Sequence, residues 1–334
     1  MYAFIDLIEL QDFLSFFLTC LNMPIIIYSE INIASANICK YIIEKYDFEK
    51  IKEDEWVKDI EEIKEKNKEI KVENKEIKGK EIKNEDKENI GDRIRIVKVK
   101  ENVIDFSFKE TVDYIIVAST HKSSSNNKSL CVHVPGNWSS ADMGGQKETL
   151  NICYASKMKT IMLNIQKLAE ERKMTKETAD GWEITLEVDH HGPTAPLIHP
   201  ENPIMFVEIG STEKEWNDKN AISLIGDAIM LSISDNTTYT TVLGFGGGHY
   251  ASKFNKYELN KEKYSELNYA ISHILPKYRF DDFKQSADEM FKQALEKNVE
   301  KIDTVLIDWK GLKTDQRQLI IDLCEKNNIE WKKA

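Results

Sequence analysis

From Met23 onward, short runs of β-branched and aliphatic residues alternate with longer stretches in which apolar positions recur every three or four residues. The first pattern is that of a strand with alternating faces, the second that of a helix with one buried stripe. Strands are expected at 24–28, 93–99, 112–118, 130–134, 183–188, 204–209, 240–245 and 304–308. Helices are expected at 33–46, 148–172, 214–233, 281–297 and 315–326. Strands that alternate with helices of this length point to an α/β layer architecture with a largely parallel or mixed sheet, in which ligands sit beyond the carboxyl ends of the strands.

Two stretches break the pattern. Residues 1–22 are apolar but carry Asp6, Glu9 and Asp12, and the first lysine is Lys40, so the positive start of a signal peptide is missing. The uncharged run 13–29 contains Pro24 and falls short of the ~20 residues that span a bilayer. This stretch is expected to be an N-terminal extension, either an added amphipathic helix or residues upstream of a native start at Met23, ahead of one domain over 23–334. The segment 58–88 is mostly Lys and Glu, with Ile63, Ile70 and Ile77 recurring at seven and with Glu62–Lys66 and Glu76–Lys80 at a favourable i,i+4 spacing. Its apolar stripe is too thin to hold a core. It is expected to be a charged surface insertion, with a partner helix or an RNA-facing arm as the alternative.

At 334 residues and 41% hydrophobic, the chain can bury a sizeable core without disulfides. Its five cysteines form no CxxC pair and read as reduced thiols of a cytoplasmic protein. A formal charge of −11 argues against nucleic-acid binding over the whole surface, because phosphate affinity comes mainly from Lys and Arg. An RNA partner would need a local basic patch. Lys122, Lys128, Lys253, Lys256, Lys277, Arg279, Lys310, Lys313 and Arg317 are available for one, or are ordinary solvated charges.

All seven histidines fall between His121 and His273, mostly at strand ends or in loops, where a rigid scaffold leaves side chains accessible. Ser119-Thr120-His121-Lys122, followed by serines, would suit an anion or a ribose-phosphate, or form a solvated loop. His133 and Trp138 would line a pocket floor. In Asp189-His190-His191-Gly192-Pro193 the chain must turn, which lets neighbouring imidazoles meet one ion or leaves one as ligand and the other as acid or base. Imidazole nitrogens with a carboxylate are typical zinc ligands. Glu208, at the end of the next strand, is the candidate second ligand or general base, the alternative being a salt bridge. Ser211 and Thr212 lead into a helix, with Thr212 and Glu215 spaced as a capping box beside free N–H groups. In Gly246-Gly247-Gly248-His249, bare backbone can aim N–H groups at a developing oxyanion. Neither a dinucleotide GxGxxG followed by a helix, nor a P-loop, nor a GxSxG elbow is present, so no nucleotide cofactor is expected. Gly144-Gly145-Gln146 resembles the tip of peptide-release factors, but three residues are too few to carry that reading, and a loop is expected.

In order and spacing, seven blocks resemble the archaeal- and plant-type D-aminoacyl-tRNA deacylases. They are Ser119-Thr120-His121, His133-Val134-Pro135-Gly136-Asn137-Trp138, His190-His191-Gly192-Pro193-Thr194, Glu208-Ile209-Gly210-Ser211, Gly246-Gly247-Gly248-His249-Tyr250, His273-Ile274-Leu275-Pro276-Lys277-Tyr278 and Asp308-Trp309-Lys310-Gly311. The resemblance runs from about Met23 to Lys332. It implies a phosphorylase/hydrolase-like fold, three layers α/β/α around a mixed, mostly parallel sheet. It also implies zinc dependence and hydrolysis of the ester between a D-amino acid and the terminal adenosine of tRNA by a zinc-activated water. On this reading a subset of His133, His190, His191, Glu208 and His249 holds the metal. His190, His191 and Glu208 act in catalysis, with Gly247 and Gly248 steadying the oxyanion. Ser119, Thr120, His121, Lys122, Trp138, Ser211, Thr212, Lys253 and Lys310 contact the substrate or its tRNA. The expected form is a monomer with tRNA as partner and no membrane attachment. The competing readings are a peptidyl-tRNA hydrolase or aminopeptidase on the same scaffold, and a tRNA- or metal-binding protein without turnover.

Overall fold

The computed structural model describes residues 23–73, 93–123, 126–142, 144–178, 181–260 and 262–334. The extension 1–22, residues 74–88 of the Lys/Glu segment with Ile77 and the Glu76–Lys80 pair, and Ser124 and Ser125 lie outside the described residues. The strands are β1 (Ile25–Ser29), β2 (Glu49–Lys52), β3 (Glu55–Asp59), β4 (Arg93–Val99), β5 (Ile115–Lys122), β6 (Ser129–His133), the two-residue pair β7 (Gly136–Asn137) and β8 (Thr149–Leu150), β9 (Glu183–Leu186), β10 (Ile204–Ser211), β11 (Thr240–Phe245), β12 (Tyr269–Leu275), β13 (Ile302–Ile307) and β14 (Glu330–Lys333). The helices are α1 (Ile33–Lys45), α2 (Ile60–Glu73), α3 (Ala155–Glu171), α4 (Glu213–Trp216), α5 (Lys219–Ile233), α6 (Asn255–Glu258), α7 (Phe280–Phe283), α8 (Ala287–Glu296) and α9 (Thr314–Lys326).

The strands form a mixed, mostly parallel sheet of eight, ordered β2-β3-β4-β1-β5-β10-β6-β9, and a parallel sheet of four, ordered β12-β11-β13-β14. One face of the large sheet, with Ile26, Ile116, Val207 and Ile209, packs on α1, α3 and α5. Its other face, with Ile25, Ile115, Val117, Ile204 and Phe206, is covered by Phe106, Phe108, Val112 and Ile198 from loops. The small sheet buries Leu243, Phe245, Val305 and Ile307 under α7 to α9, and α3 closes its opposite face. Helices thus lie on both sides of parallel strands, as the α/β pattern requires, while the division into two sheets was not legible from the sequence.

Three of the expected helices are interrupted. The stretch 148–172 becomes helical only at Ala155, because Leu150 pairs with Gly136 and the Asn151 amide donates to the Pro135 and Pro193 carbonyls. The stretch 214–233 breaks at Asn217-Asp218, where the Asp218 carboxylate accepts from the Asn220 and Ala221 N–H groups and caps α5. The stretch 281–297 divides into α7 and α8. The Lys/Glu segment also differs from expectation, since Ile60 and Ile63 of α2 are buried in the main core and the Asn67 amide donates to the Met230 carbonyl. Lys66 pairs with Asp47, and Glu62 with Lys58, instead of with each other. The described cysteines Cys39, Cys131, Cys153 and Cys324 are free and buried.

Lys159 of α3 joins the layers from inside, with its fully buried ammonium 2.7–2.9 Å from the carbonyls of Tyr257, Glu258 and Tyr269 and from Asn260 Oδ1. Beside it, burial raises the Glu258 carboxyl from its ordinary 4.5 to about 7, against the opposing pull of Lys159 and of the Ile271 N–H. The folded chain therefore binds this proton more tightly than the unfolded chain does. The resulting stabilisation is complete below pH 4.5 and is lost as the pH rises through about 7. Glu258→Gln is expected to flatten this part of the stability profile, measured as urea midpoints across that range. An unchanged slope would show that the carboxyl does not titrate there.

Candidate active site

Along β10, Phe206, Glu208 and Gly210 share one face of the large sheet, since side chains alternate along a strand. Parallel β5 sets His121 opposite Gly210, and antiparallel β6 sets His133 opposite Phe206, so the two imidazoles flank Glu208. Glu187 follows β9 in step with Thr185 and reaches the same side. His121 thus stands on a strand, not in the loop expected after Ala118, because β10 offers pairing partners out to Ser211. Gly210 makes room for it. A Cβ there would lie 2.5 Å from Ser129 Oγ and 2.7 Å from His121 Cδ2.

Loops from the small sheet close the site. After β11, Gly246 and Gly247 adopt φ of 111° and 83°, which side-chain-bearing residues rarely adopt, and the turn carries His249 to Glu187. The Val188 N–H donates to the His249 carbonyl at 3.0 Å, and the Gly136 N–H donates to the His190 carbonyl at 2.9 Å. Asp189 accepts from the Ile274 N–H at 2.8 Å and faces His273 Nδ1 at 2.7 Å, while His273 Nε2 donates to the Lys297 carbonyl at 2.9 Å. His190 is therefore pinned between the β7–β8 pair and the small sheet.

Glu187 is the hub of the cluster. Its Oε2 lies 3.0 Å from His190 Nε2, and its Oε1 lies 3.2 Å from His121 Nδ1 and 3.4 Å from His249 Nε2. Glu208 Oε2 is 3.5 Å from His121 Nδ1 and 3.7 Å from His133 Nε2. The potential ligand atoms of His121, Glu187 and His249 lie within 4.8 Å of one another, as do those of His133, Glu187 and His190. Glu187 Oε1, His133 Nε2 and His190 Nδ1 are buried without a hydrogen-bond partner. Such orphaned atoms are costly, and their convergence is that of a cation's donor set.

The charges agree with this geometry. Burial works against ionisation of both glutamates, yet His190 and His249 hold Glu187, and His121 and His133 hold Glu208, well below the usual carboxylate range. In return the glutamates overcome burial and raise His121 and His133. His190 is lowered to about 4 by burial and by the neighbouring His133, and burial also lowers His191. Two ionised carboxylates among imidazoles, nearly closed to water, suit a divalent ion.

Of the expected ligands, His133, His190 and His249 belong to these triads and Glu208 lies beside them. His191 does not join either triad and lines the adjoining cavity, its ring 4.9 Å from that of His190. His121, expected to touch substrate, is part of the cluster. Glu187 was not anticipated, because it reads as one more polar position of an alternating strand; its placement three residues before His190 was the available signal. Ser119 is buried on β5, Thr120 accepts from the Asn32 amide, and Ser211 donates to the Asn127 carbonyl. Thr212 and Glu215 form the expected capping box, so Glu215 takes the place foreseen for an anion. Ser119, Thr120, Ser211 and Thr212 do not line the cavity, and neither do exposed Lys122 and Lys310 or half-buried Lys253. Trp138 does line it, with its ring packed on Phe245, His273 and Phe283. Gly144-Gly145-Gln146 is a loop docked on the histidine turn, with the Gln146 N–H donating to Thr194 Oγ1 at 2.7 Å. The cavity measures about 180 Å³ and is also lined by Ser140, Asp142, Tyr278 and Arg279.

A family model described as D-aminoacyl-tRNA deacylase matches residues 108–332. A D-aminoacyl-tRNA deacylase of Pyrococcus horikoshii is 32% identical over 313 residues, covering 92% of this chain and 99% of that protein. One of Pyrococcus furiosus is 35% identical over 219 residues, covering 66% of this chain and 73% of that protein. The crystal structure of a conserved protein of unknown function superposes with a TM-score of 0.71 at 23% identity, over 93% of this chain and 95% of its own, a likeness of fold. Among the described residues, no helix is long and apolar enough to cross a membrane.

Proposed function

Because the chain belongs to the D-aminoacyl-tRNA deacylase family, we propose that it hydrolyses the ester joining a D-amino acid to the terminal adenosine of tRNA, with zinc held at the Glu187 cluster. The observation that carries this reading is the meeting of His121, His133, His190 and His249 with two ionised carboxylates around unsatisfied buried atoms, next to a small cavity. His121, Glu187 and His249, or His133, Glu187 and His190, would hold the ion. Zinc held by these residues would supply a water with a pKa near 7 and polarisation of the ester carbonyl.

The protein's own groups do the rest. Glu208 faces His121 Nδ1 and His133 Nε2 and, held ionised by them, adds a second negative charge beside the donor set of the ion. Gly247 and Gly248 do not line the cavity but precede His249, which does, and with nothing within 4 Å of where a Gly248 Cβ would be, this backbone stays open to the carbonyl oxygen of the substrate. His191, kept neutral by burial, is available as a proton carrier on the cavity wall. Lys122, Lys253 and Lys310 would meet the tRNA backbone outside the cavity.

The test uses matched D- and L-tyrosyl-tRNA with protein stripped by a chelator and then restored with zinc. The expected result is hydrolysis of the D ester by the restored protein and little by the stripped one. Full activity after stripping would remove the zinc role, and equal rates on the two esters would remove the substrate assignment.

A further inference from the structure

If the reacting ester sits at the Glu187 cluster, the adenine on the same terminal nucleotide must lie close by. The cavity of about 180 Å³ is smaller than the roughly 300 Å³ at which pockets enclose drug-sized ligands. It can take an aminoacyl group but not the base as well, which leaves the base at the rim.

At that rim stands Tyr278, with 53% of its surface exposed. The other strongly exposed large hydrophobic residues among those described are aliphatic: Ile31, Ile51, Leu267 and Val299. Tyr278 sits in the single turn Lys277–Arg279 that follows β12. Both of its neighbours are anchored. The Lys277 N–H donates to the Gly247 carbonyl at 3.1 Å, and Arg279 donates to Ser140 Oγ at 3.0 Å and to Asp142 Oδ2 at 2.6 Å. The Arg279 guanidinium also lies 6.0 Å from the Tyr278 ring centroid. The turn that carries Tyr278 is therefore held between the glycine loop and the Ser140–Asp142 wall of the cavity, so the backbone needs little ordering when a ligand binds. An open aromatic on an anchored turn, beside a cavity too small for an aminoacyl group and a purine together, is a place for a base to stack.

We propose that Tyr278 is the stacking platform for the terminal adenine of the tRNA, braced by Arg279. This rests on the deacylase reading above. Tyr278→Ala is expected to raise KM for D-tyrosyl-tRNA about tenfold or more, the scale of one lost base–aromatic stack, with a much smaller change in kcat. Tyr278→Phe and Tyr278→Trp keep a ring and are expected to stay near wild type. D-tyrosine methyl ester has no base, so Tyr278→Ala should lower kcat/KM for the tRNA substrate about tenfold more than for this ester.

An effect of Tyr278→Phe as large as that of Tyr278→Ala would assign the residue's role to its hydroxyl and overturn the stack. Equal losses on the two substrates would overturn it in favour of a contact with the amino acid. Binding of a CCA trinucleotide separates this proposal from the reading it rests on. Wild-type protein that leaves D-tyrosyl-tRNA intact but binds CCA, with binding weakened by Tyr278→Ala, refutes the deacylase reading and supports the stack. Wild-type protein that deacylates, with KM and CCA binding unmoved by Tyr278→Ala, does the reverse.

Discussion

Glu187→Gln is expected to lower kcat for D-aminoacyl-tRNA about a thousandfold or more, as loss of a group acting at the reacting centre does, while the fold survives. Glu187 places its two oxygens within 3.4 Å of three imidazoles, from β5, from the turn after β9 and from the loop after β11. It is also common to both candidate triads. Glutamine preserves shape and volume but removes the negative charge and presents an NH₂ group where one oxygen stood, so it faces at least one imidazole with the wrong polarity. Zinc content measured alongside kcat, with near-UV circular dichroism as a check of folding, distinguishes loss of the centre from loss of structure. Activity within tenfold of wild type at full metal content would place Glu187 outside the centre.

The largest effect on stability is expected at Asp189. Its carboxylate is buried against His273 and also accepts the Ile274 N–H, so Asp189→Ala leaves an imidazole and an amide stranded in a dry interior. Removing one partner of such a buried pair costs about 3–5 kcal/mol, and the urea midpoint should fall accordingly. Asp189→Asn can still accept the amide and should lose less. Activity should fall in step, because Asp189 fixes the turn that presents His190. A cost under about 1 kcal/mol for the alanine variant would show the pair to be incidental.

The regular parts of this molecule could be read from hydrophobic spacing. Strands such as Ile25–Ser29 and Ile204–Ser211 open on unbroken apolar runs, and Ile33–Lys45 and Thr314–Lys326 carry helical stripes. Partner choice between strands is a non-local matter, and local spacing says nothing about it. The division into two sheets stayed hidden for that reason. So did β12, whose Tyr269–Leu275 run is buried on both faces and lacks alternation. The same limit governed the site. His133, His190, Glu208 and His249 could be picked out because they stand beside turns or at strand ends. Glu187 could not, since only the neighbouring strands reveal that its side is the wet-looking face turned inward. Ser119-Thr120-His121 has the composition of a loop and becomes strand through pairing with β10. In α2, two isoleucines sufficed to dock a helix whose remaining composition is that of solvated surface.

The pairing of β10 with both of its neighbours also governs where the chain can gain or lose residues. One residue inserted or deleted between Phe206 and Gly210 would exchange Glu208 for Val207 or Ile209 on the reactive side and turn the carboxylate toward the helices beneath. The connection between β5 and β6, by contrast, can change length without moving His121 or His133 along their ladders. Homologous chains should therefore differ in length at such connections and keep this short stretch of β10 residue for residue.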